Sequence, residues 1–176
     1  SLGVRSGFYS AAFLLQRVLA DRLDVDPTEI EIADITKCTI NEDGIVKNIA
    51  EIILTDELAN GSGFVRSLYE DFSNILQETL QPTNADSYLG KIHSLTHQEK
   101  CADACYDCLK IFRNMNWHSL LDWRLGLSMI RLFNDPNYKA GADGNFSQYV
   151  ELKDWLQFAE KLRDSFIESF SSFGKT

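Results

Sequence analysis

Three cysteines within eight residues are the feature that most constrains how this chain can fold. Cys101, Cys105 and Cys108 form this cluster, whereas the fourth cysteine, Cys38, lies far away in the sequence. Four cysteines in 176 residues are too few for a disulfide-rich scaffold. No signal peptide is visible, and without an export signal a tight cysteine cluster more often binds a metal than forms disulfides. The cluster therefore predicts a metal site.

The spacing of the donors favours zinc. Cys105 and Cys108 have the two-residue gap that lets two thiolates reach one ion in zinc ribbons. His97 and Cys101 are four residues apart, as are Cys101 and Cys105, so each pair can share a helix face. We predict Zn²⁺ bound by Cys101, Cys105, Cys108 and His97, with Cys38 as the alternative fourth ligand. The competing interpretation is a metal-free group of reduced, buried cysteines.

Zinc geometry requires a bend in this segment. A straight helix over residues 97–108 would spread the donors over about 16 Å, whereas a tetrahedral site holds each donor about 2.0–2.3 Å from the ion. We expect the bend at or beside residues 102–104. A catalytic zinc would need a nearby base, for which Glu99 and Asp107 are the closest acids, but a solvated charge is the simpler interpretation of each. His93 and His118 lie outside the ligand spacing.

The remaining pattern predicts an α+β fold. Alternating apolar residues at 29–35 and 47–54, joined by the turn signal Asn41-Glu42-Asp43-Gly44, predict a long antiparallel hairpin with a slip near the end of its first strand. Residues 85–100 are polar and weakly patterned. We expect a mostly helical single domain, residues 1–176, with this hairpin and a cysteine-rich metal-binding loop. A short helix is expected after the cysteines, and longer helices are expected over residues 8–23, 64–80, 120–133 and 152–170.

Composition limits the partners of the chain. Lysine and arginine total 17 against 26 aspartates and glutamates, and this net charge of −9 opposes a domain whose main task is to neutralise phosphates. We therefore expect only weak DNA binding by this fragment alone. No apolar run approaches the roughly 18 residues of a membrane span, so we expect no membrane contact. The abrupt start at Ser1-Leu2-Gly3 indicates a fragment of a larger protein.

Two segments offer anion or nucleic-acid contacts. Asn60-Gly61-Ser62-Gly63 precedes a helix, where free backbone N–H groups can hold an anion, but a plain turn with Ser62 as the N-cap is the simpler interpretation. Residues 113–118, Arg-Asn-Met-Asn-Trp-His, combine a cation with an aromatic ring and can bind a single strand. A corner between helices held by side-chain capping bonds is the favoured interpretation of this segment.

We expect residues of the last two predicted helices to orient the metal-binding loop or to pack in the core. Asp122 and Arg124 are candidates to orient the metal-binding loop, and Trp123 and Trp155 are candidate core aromatics. Four phenylalanines would leave an apolar patch if the last helix lacked a partner, so we expect that helix to pack on the first one. They are Phe158, Phe166, Phe170 and Phe173.

Several of these segments together resemble a known family. Residues 101–109, the Arg-Asn pair at 113–114, residues 118–125 and the glycine-bearing segment 54–64 resemble the zinc-binding domain first named for the helicase MrfA, which follows superfamily-2 DEAD/DEAH-box helicase modules. The resemblance covers about residues 5–170. Leu-Asp-Trp-Arg-Leu and the later Asp143-Gly144-Asn145-Phe146 are most similar to DrmB, the helicase-like component of DISARM anti-phage systems. Some members of the family place four cysteines in the local cluster, where this chain offers three and His97.

The resemblance implies a zinc-stabilised accessory domain of a cytoplasmic, helicase-like parent that acts in DNA metabolism or anti-phage defence. Its roles would be structural, partner-docking or DNA-guiding, with the parent's motor domain, a defence-complex protein and, through the parent, DNA as partners. The sequence has no Gly-x-x-x-x-Gly-Lys-[Ser/Thr] motif, so we expect no ATPase or other enzyme activity from this fragment. The alternatives are a zinc-dependent hydrolase or nuclease-like module and a metal-free protein interaction domain.

Overall fold

The structure is a computed structural model, and it describes residues 2–58, 61 and 63–171, without the side chains of Lys47 and Asn48. The chain divides into two compact units, Ser1–Tyr138 and Lys139–Thr176, each of which is described by itself. The first unit contains the hairpin, most of the helices and the predicted metal-binding segment.

Helix α1, Leu2–Leu23, is the central element of the first unit, and its middle residues are almost fully buried. It packs against α6, Trp123–Asn134. The contact is close because a Cβ on Gly126 would lie 3.2 Å from the carbonyl oxygen of Ser10. The hydroxyl of Ser10 also accepts a hydrogen bond from the N–H of Asp122 at 2.8 Å. The two helices are therefore joined by backbone proximity as well as by apolar burial.

The long antiparallel hairpin is confirmed. Strand β1, Ile30–Glu42, pairs with β2, Ile45–Asp56, in a two-stranded sheet. Asp43 and Gly44 both have positive φ, +52° and +78°, which is the backbone of the two-residue turn that suits a right-twisted hairpin. The pairing register shifts between Ile32 and Asp34, where a slip was predicted. This bulge bends the start of β1 beside α1.

The segment between the hairpin and the cysteines is more broken than predicted. The expected helix over residues 64–80 is two helices, α2, Phe64–Glu70, and α3, Phe72–Leu80, because Asp71 leaves helical geometry at φ −124° and ψ 24°. The weakly patterned region contains two short helices, α4, Tyr88–Ile92, and α5, Leu95–Lys100. Each begins at a serine whose hydroxyl accepts a backbone N–H, Ser87 from Gly90 and Ser94 from His97.

The helices after the cysteines begin later than predicted. The short helix is the 3-10 segment Phe112–Trp117. In the second unit, α7 spans Trp155–Phe170, and none of its residues is buried. Trp155 is 40% exposed, so its assignment to the core is wrong. Phe173 lies outside the described residues, and the packing of the last helix on the first stays a prediction.

The α+β class, with a hairpin and a cysteine-rich segment, is confirmed. The boundary that treats residues 1–176 as one domain stays a prediction. No helix in the described part of the chain is long and apolar enough to cross a membrane.

Candidate metal centre

Four side chains meet at one point in the first unit. His97, Cys101, Cys105 and Cys108 each bring one ligand atom to this cluster, and these atoms all lie within 4.8 Å of one another. All three cysteines are free thiols rather than disulfides. The structure thus brings together the four residues that the sequence predicts as zinc ligands.

The other candidate donors lie elsewhere. Cys38 sits on β1, where its thiol donates to the Glu51 carboxylate at 3.5 Å. Desolvation and this hydrogen bond raise the pKa of Cys38. His93 and His118 bind protein groups through Nε2, at 2.9 Å from the Thr79 carbonyl oxygen and 2.8 Å from Asn114 Oδ1. Among the described residues, Cys38 is therefore not part of the donor cluster, and the structure does not support it as the alternative fourth ligand.

Three of the spacings between the donors match those of a tetrahedral site. Zn–S bonds of about 2.3 Å place two sulfurs about 3.8 Å apart, and a sulfur and a zinc-bound nitrogen about 3.6 Å apart. The Sγ atoms of Cys101 and Cys108 are separated by 3.8 Å, and those of Cys105 and Cys108 by 3.6 Å. Cys105 Sγ lies 3.6 Å from His97 Nε2. One ion can therefore reach all four donors with little rearrangement.

The backbone makes the predicted bend. Helix α5 ends at Lys100, and Cys101 is already extended, at φ −114° and ψ 98°. The chain then turns back at Cys105, whose carbonyl oxygen accepts the N–H groups of Cys108, Leu109 and Lys110 at 3.2, 3.1 and 2.9 Å. This tight turn brings Cys108 back beside Cys105, which is why a two-residue gap suffices for both thiols to face one point.

A backbone carbonyl fixes the tautomer of His97. His97 Nδ1 lies 3.1 Å from the carbonyl oxygen of Ile92. A carbonyl only accepts hydrogen bonds, so Nδ1 carries the proton and Nε2 presents its lone pair to the cluster, where it faces Cys105. Metal-binding histidines are usually oriented in this way by a second hydrogen bond.

The thiols already differ in protonation. A hydrogen bond from the Cys101 thiol lowers the pKa of Cys108 to about 4, and the backbone N–H of Cys105 also points at this sulfur, 3.0 Å away. The same bond to Cys108 raises the pKa of Cys101, and burial raises the pKa of Cys105. Without a metal, the negative charge of the cluster is therefore favoured on Cys108 rather than on Cys101 or Cys105, because three adjacent thiolates without a cation would repel one another.

Two side chains of α6 donate hydrogen bonds to the backbone of the metal-binding segment. The Trp123 indole N–H donates to the Cys101 carbonyl at 3.1 Å, and Arg124 Nη1 donates to the Ala102 carbonyl at 2.9 Å. The side chain of Asp122 caps α6 by accepting the N–H groups of Arg124 and Leu125. Arg124 contacts the loop through carbonyl oxygens, a pattern that residue types alone do not reveal. The role of the Ile92 carbonyl cannot be predicted from the sequence either, because every residue carries a backbone carbonyl.

The donor set fits zinc. Three thiolates and one imidazole are the ligands of closed, structural zinc sites, in which four protein donors leave no position for water. Glu99 and Asp107 are both exposed. Asp107 interacts with Cys105 through a hydrogen bond from its backbone N–H, and not through its carboxylate. Zn²⁺ held by these four residues would connect α5 to the turn at 105–110.

A carboxylate of the chain itself already binds N–H groups at the end of the glycine-bearing loop. The carboxylate of Asp56 accepts the N–H of Gly63 at 2.8 Å and that of Val65 at 3.0 Å, so it caps α2. Ser62, the predicted N-cap, lies outside the described residues. Because a carboxylate takes these N–H groups, the anion-binding interpretation of the loop is not supported.

The 113–118 segment is a capped corner. Asn114 is 2% exposed, and its side chain accepts the N–H of Ile111 while it donates to the carbonyl of Leu109, both at 2.9 Å. Arg113 pairs with Glu57 at 3.2 Å. These contacts favour the structural interpretation of the segment over single-strand binding.

Fold and cluster together define a zinc-binding α+β domain. The sequence of residues 11–109, more than half of the chain, matches the family described as the MrfA Zn-binding domain. The chain therefore belongs to the MrfA Zn-binding domain family, and Zn²⁺ is its metal.

A curated relative is the Druantia protein DruE of Escherichia coli (strain UMEA 4076-1), which is 30% identical over 110 residues. The alignment spans 62% of this chain and only 5% of that relative. No solved structure matches the chain. The closer likeness to DrmB stays a prediction.

Proposed function

We propose that this chain is a zinc-stabilised accessory domain of a helicase-like protein that acts in DNA metabolism or anti-phage defence. Membership of the MrfA Zn-binding domain family supports the accessory role, and the similarity to the Druantia protein DruE supports a place in defence. The chain spans a small fraction of that relative, so a motor for translocation on DNA is expected in other parts of the parent.

The observation that carries this proposal is the closed cluster of His97, Cys101, Cys105 and Cys108. Four protein donors around one ion favour a structural role over a hydrolytic one, because hydrolysis needs an open position for water. The ion would tie the short helix α5 to the loop that Trp123 and Arg124 hold. Such a brace suits a domain that presents surfaces to partners.

The proposed partners follow from the parent. The motor domain of the same parent chain and a defence-complex protein are the expected docking partners, in the cytoplasm. DNA is engaged through the parent, because the net charge of −9 disfavours tight binding by this domain itself. We assign no enzyme activity to this chain.

Elemental analysis of the full chain, purified without added metal, tests the proposal. One zinc per chain is expected, and Cys108→Ser should lose it because a hydroxyl is a poor zinc ligand. Cys38→Ser is the matched control and should keep the zinc. A folded wild-type chain without zinc would support the metal-free interaction domain, and hydrolysis of a nucleic acid that is lost on Glu99→Gln would support the hydrolase.

A further inference from the structure

A second site lies away from the metal cluster. A cavity of about 340 Å³ opens between α1, the start of β1 and the 111–117 corner, and its size is that of a small-ligand pocket. Gln16, which is 5% exposed, lines this cavity. Its Nε2 donates to the Ile30 carbonyl, whereas its Oε1 accepts no hydrogen bond from any residue that the structure describes. A buried acceptor without a donor is unfavourable, so the site favours an occupant that brings donors.

An aromatic pair forms part of the cavity lining. The rings of Tyr9 and Trp117 lie 4.6 Å apart between centroids, at an interplanar angle of 36°. Aromatic faces attract cations, and Tyr9 already has the Arg5 guanidinium 5.4 Å from its ring centroid. Tyr9 is thus already engaged by Arg5, and Trp117 is the ring of this pair on which a further planar cation can stack.

The charge of the lining is acidic. Glu31, Asp34 and Glu57 line the cavity, and Arg113 is the one cation among the described lining residues. That cation is engaged by Glu57 at 3.2 Å. The excess of carboxylates opposes a phosphate-bearing ligand and favours a positively charged one.

We propose that this cavity binds an arginine side chain from a basic segment of a partner protein. A guanidinium is planar, permanently charged and carries five N–H donors, so it can stack on the Trp117 ring while it donates to Gln16 and to the carboxylates. The inference deepens the docking role proposed above, on which it rests, by giving the chemistry of the partner. It uses no residue of the metal cluster.

A titration of the zinc-loaded, ¹⁵N-labelled full chain tests the cavity. The probes are N-acetyl-arginine methylamide and N-acetyl-citrulline methylamide, which has nearly the same shape without the charge. With the arginine probe, the indole N–H of Trp117 and the side-chain amide of Gln16 should shift, and the citrulline probe should bind at least about tenfold more weakly. Glu31→Gln should weaken arginine binding about threefold. Glu70→Gln, an exposed carboxylate paired with Arg66 outside the cavity, is the matched control and should change nothing.

Three results would overturn the proposal. Equal binding of the two probes would remove the role of charge, and shifts away from the cavity would remove the site. Tighter binding of an oligothymidylate at Trp117 would assign the cavity to nucleic acid. Zinc content measured on the same sample separates the two hypotheses, because a zinc-loaded chain that ignores arginine contradicts only the cavity proposal.

Discussion

The Ile92 carbonyl shows how a single backbone atom controls the metal centre. By accepting from His97 Nδ1, it leaves Nε2 free to face the sulfurs. The Cys101 carbonyl is held in turn by the indole of Trp123, a residue that is fully buried. His97 and Cys101 are thus each held by a residue outside the ligand set, and such neighbours affect metal affinity strongly.

Replacement of Trp123 by Phe tests this orientation. Trp123→Phe keeps an aromatic ring but removes the N–H that donates to the Cys101 carbonyl. This buried carbonyl oxygen then loses a hydrogen bond. We expect zinc affinity to fall roughly tenfold or more and the free energy of unfolding to fall by about 1–3 kcal/mol. Competition with a chromophoric chelator and thermal unfolding measure the two effects. Trp155→Phe, at an exposed position, should alter neither.

The elements differ in how far the sequence determines them. The ligand cluster is predictable because its four donors lie within residues 97–108, so spacing alone limits the geometry. The hairpin is predictable from alternation and from its Asp-Gly turn. The short helices α4 and α5 have too few turns for a clear apolar period, and their start is given only by the Ser87 and Ser94 caps. The cavity around Gln16 combines residues from distant segments, and no local pattern brings these together.

The crossing of α1 and α6 gives a prediction at the level of elements. Gly126→Ala would place a Cβ 3.2 Å from the Ser10 carbonyl oxygen, and this backbone atom cannot move without separating the helices. We expect the free energy of unfolding to fall by about 1–3 kcal/mol, as for other overpacked contacts. Chemical denaturation measures the change.

Gly3→Ala is the matched control for that substitution. Gly3 also lies in α1, but a Cβ there meets nothing within 4 Å. The better helix propensity of alanine should leave stability unchanged or raise it by up to about 1 kcal/mol. Equal losses in both variants would show that helix contact is not the cause.

At the scale of the whole molecule, the metal couples folding to proton concentration. The pKa values of Cys101 and Cys105 are raised and that of Cys108 is lowered to about 4, so the metal-free chain at neutral pH carries two protonated thiols in the cluster. Zinc binds thiolates, and its binding free energy adds to folding. Stability supplied by the metal therefore rises with pH through neutrality and is lost as the pH falls.

Calorimetry in buffers of different ionisation enthalpy measures this coupling. We expect about two protons to be released per zinc near neutral pH, from Cys101 and Cys105, so that the dissociation constant rises about a hundredfold for each unit of pH lost. Cys38→Ser, which removes a thiol outside the cluster, should leave the number of protons released unchanged. Zinc affinity that does not change with pH would contradict the thiolate assignment.

The short span of the ligands has a consequence for the order of assembly. All four donors lie within one brief stretch of chain, so the loop that zinc closes is small and its closure entropy is low. Neither the hairpin nor α6 supplies a donor, so we expect a growing polypeptide to begin binding its metal soon after Cys108 leaves the ribosome and to reach full affinity when Trp123 of α6 is in place. Trp123 and Arg124 can then form their hydrogen bonds to a segment that the metal has already ordered.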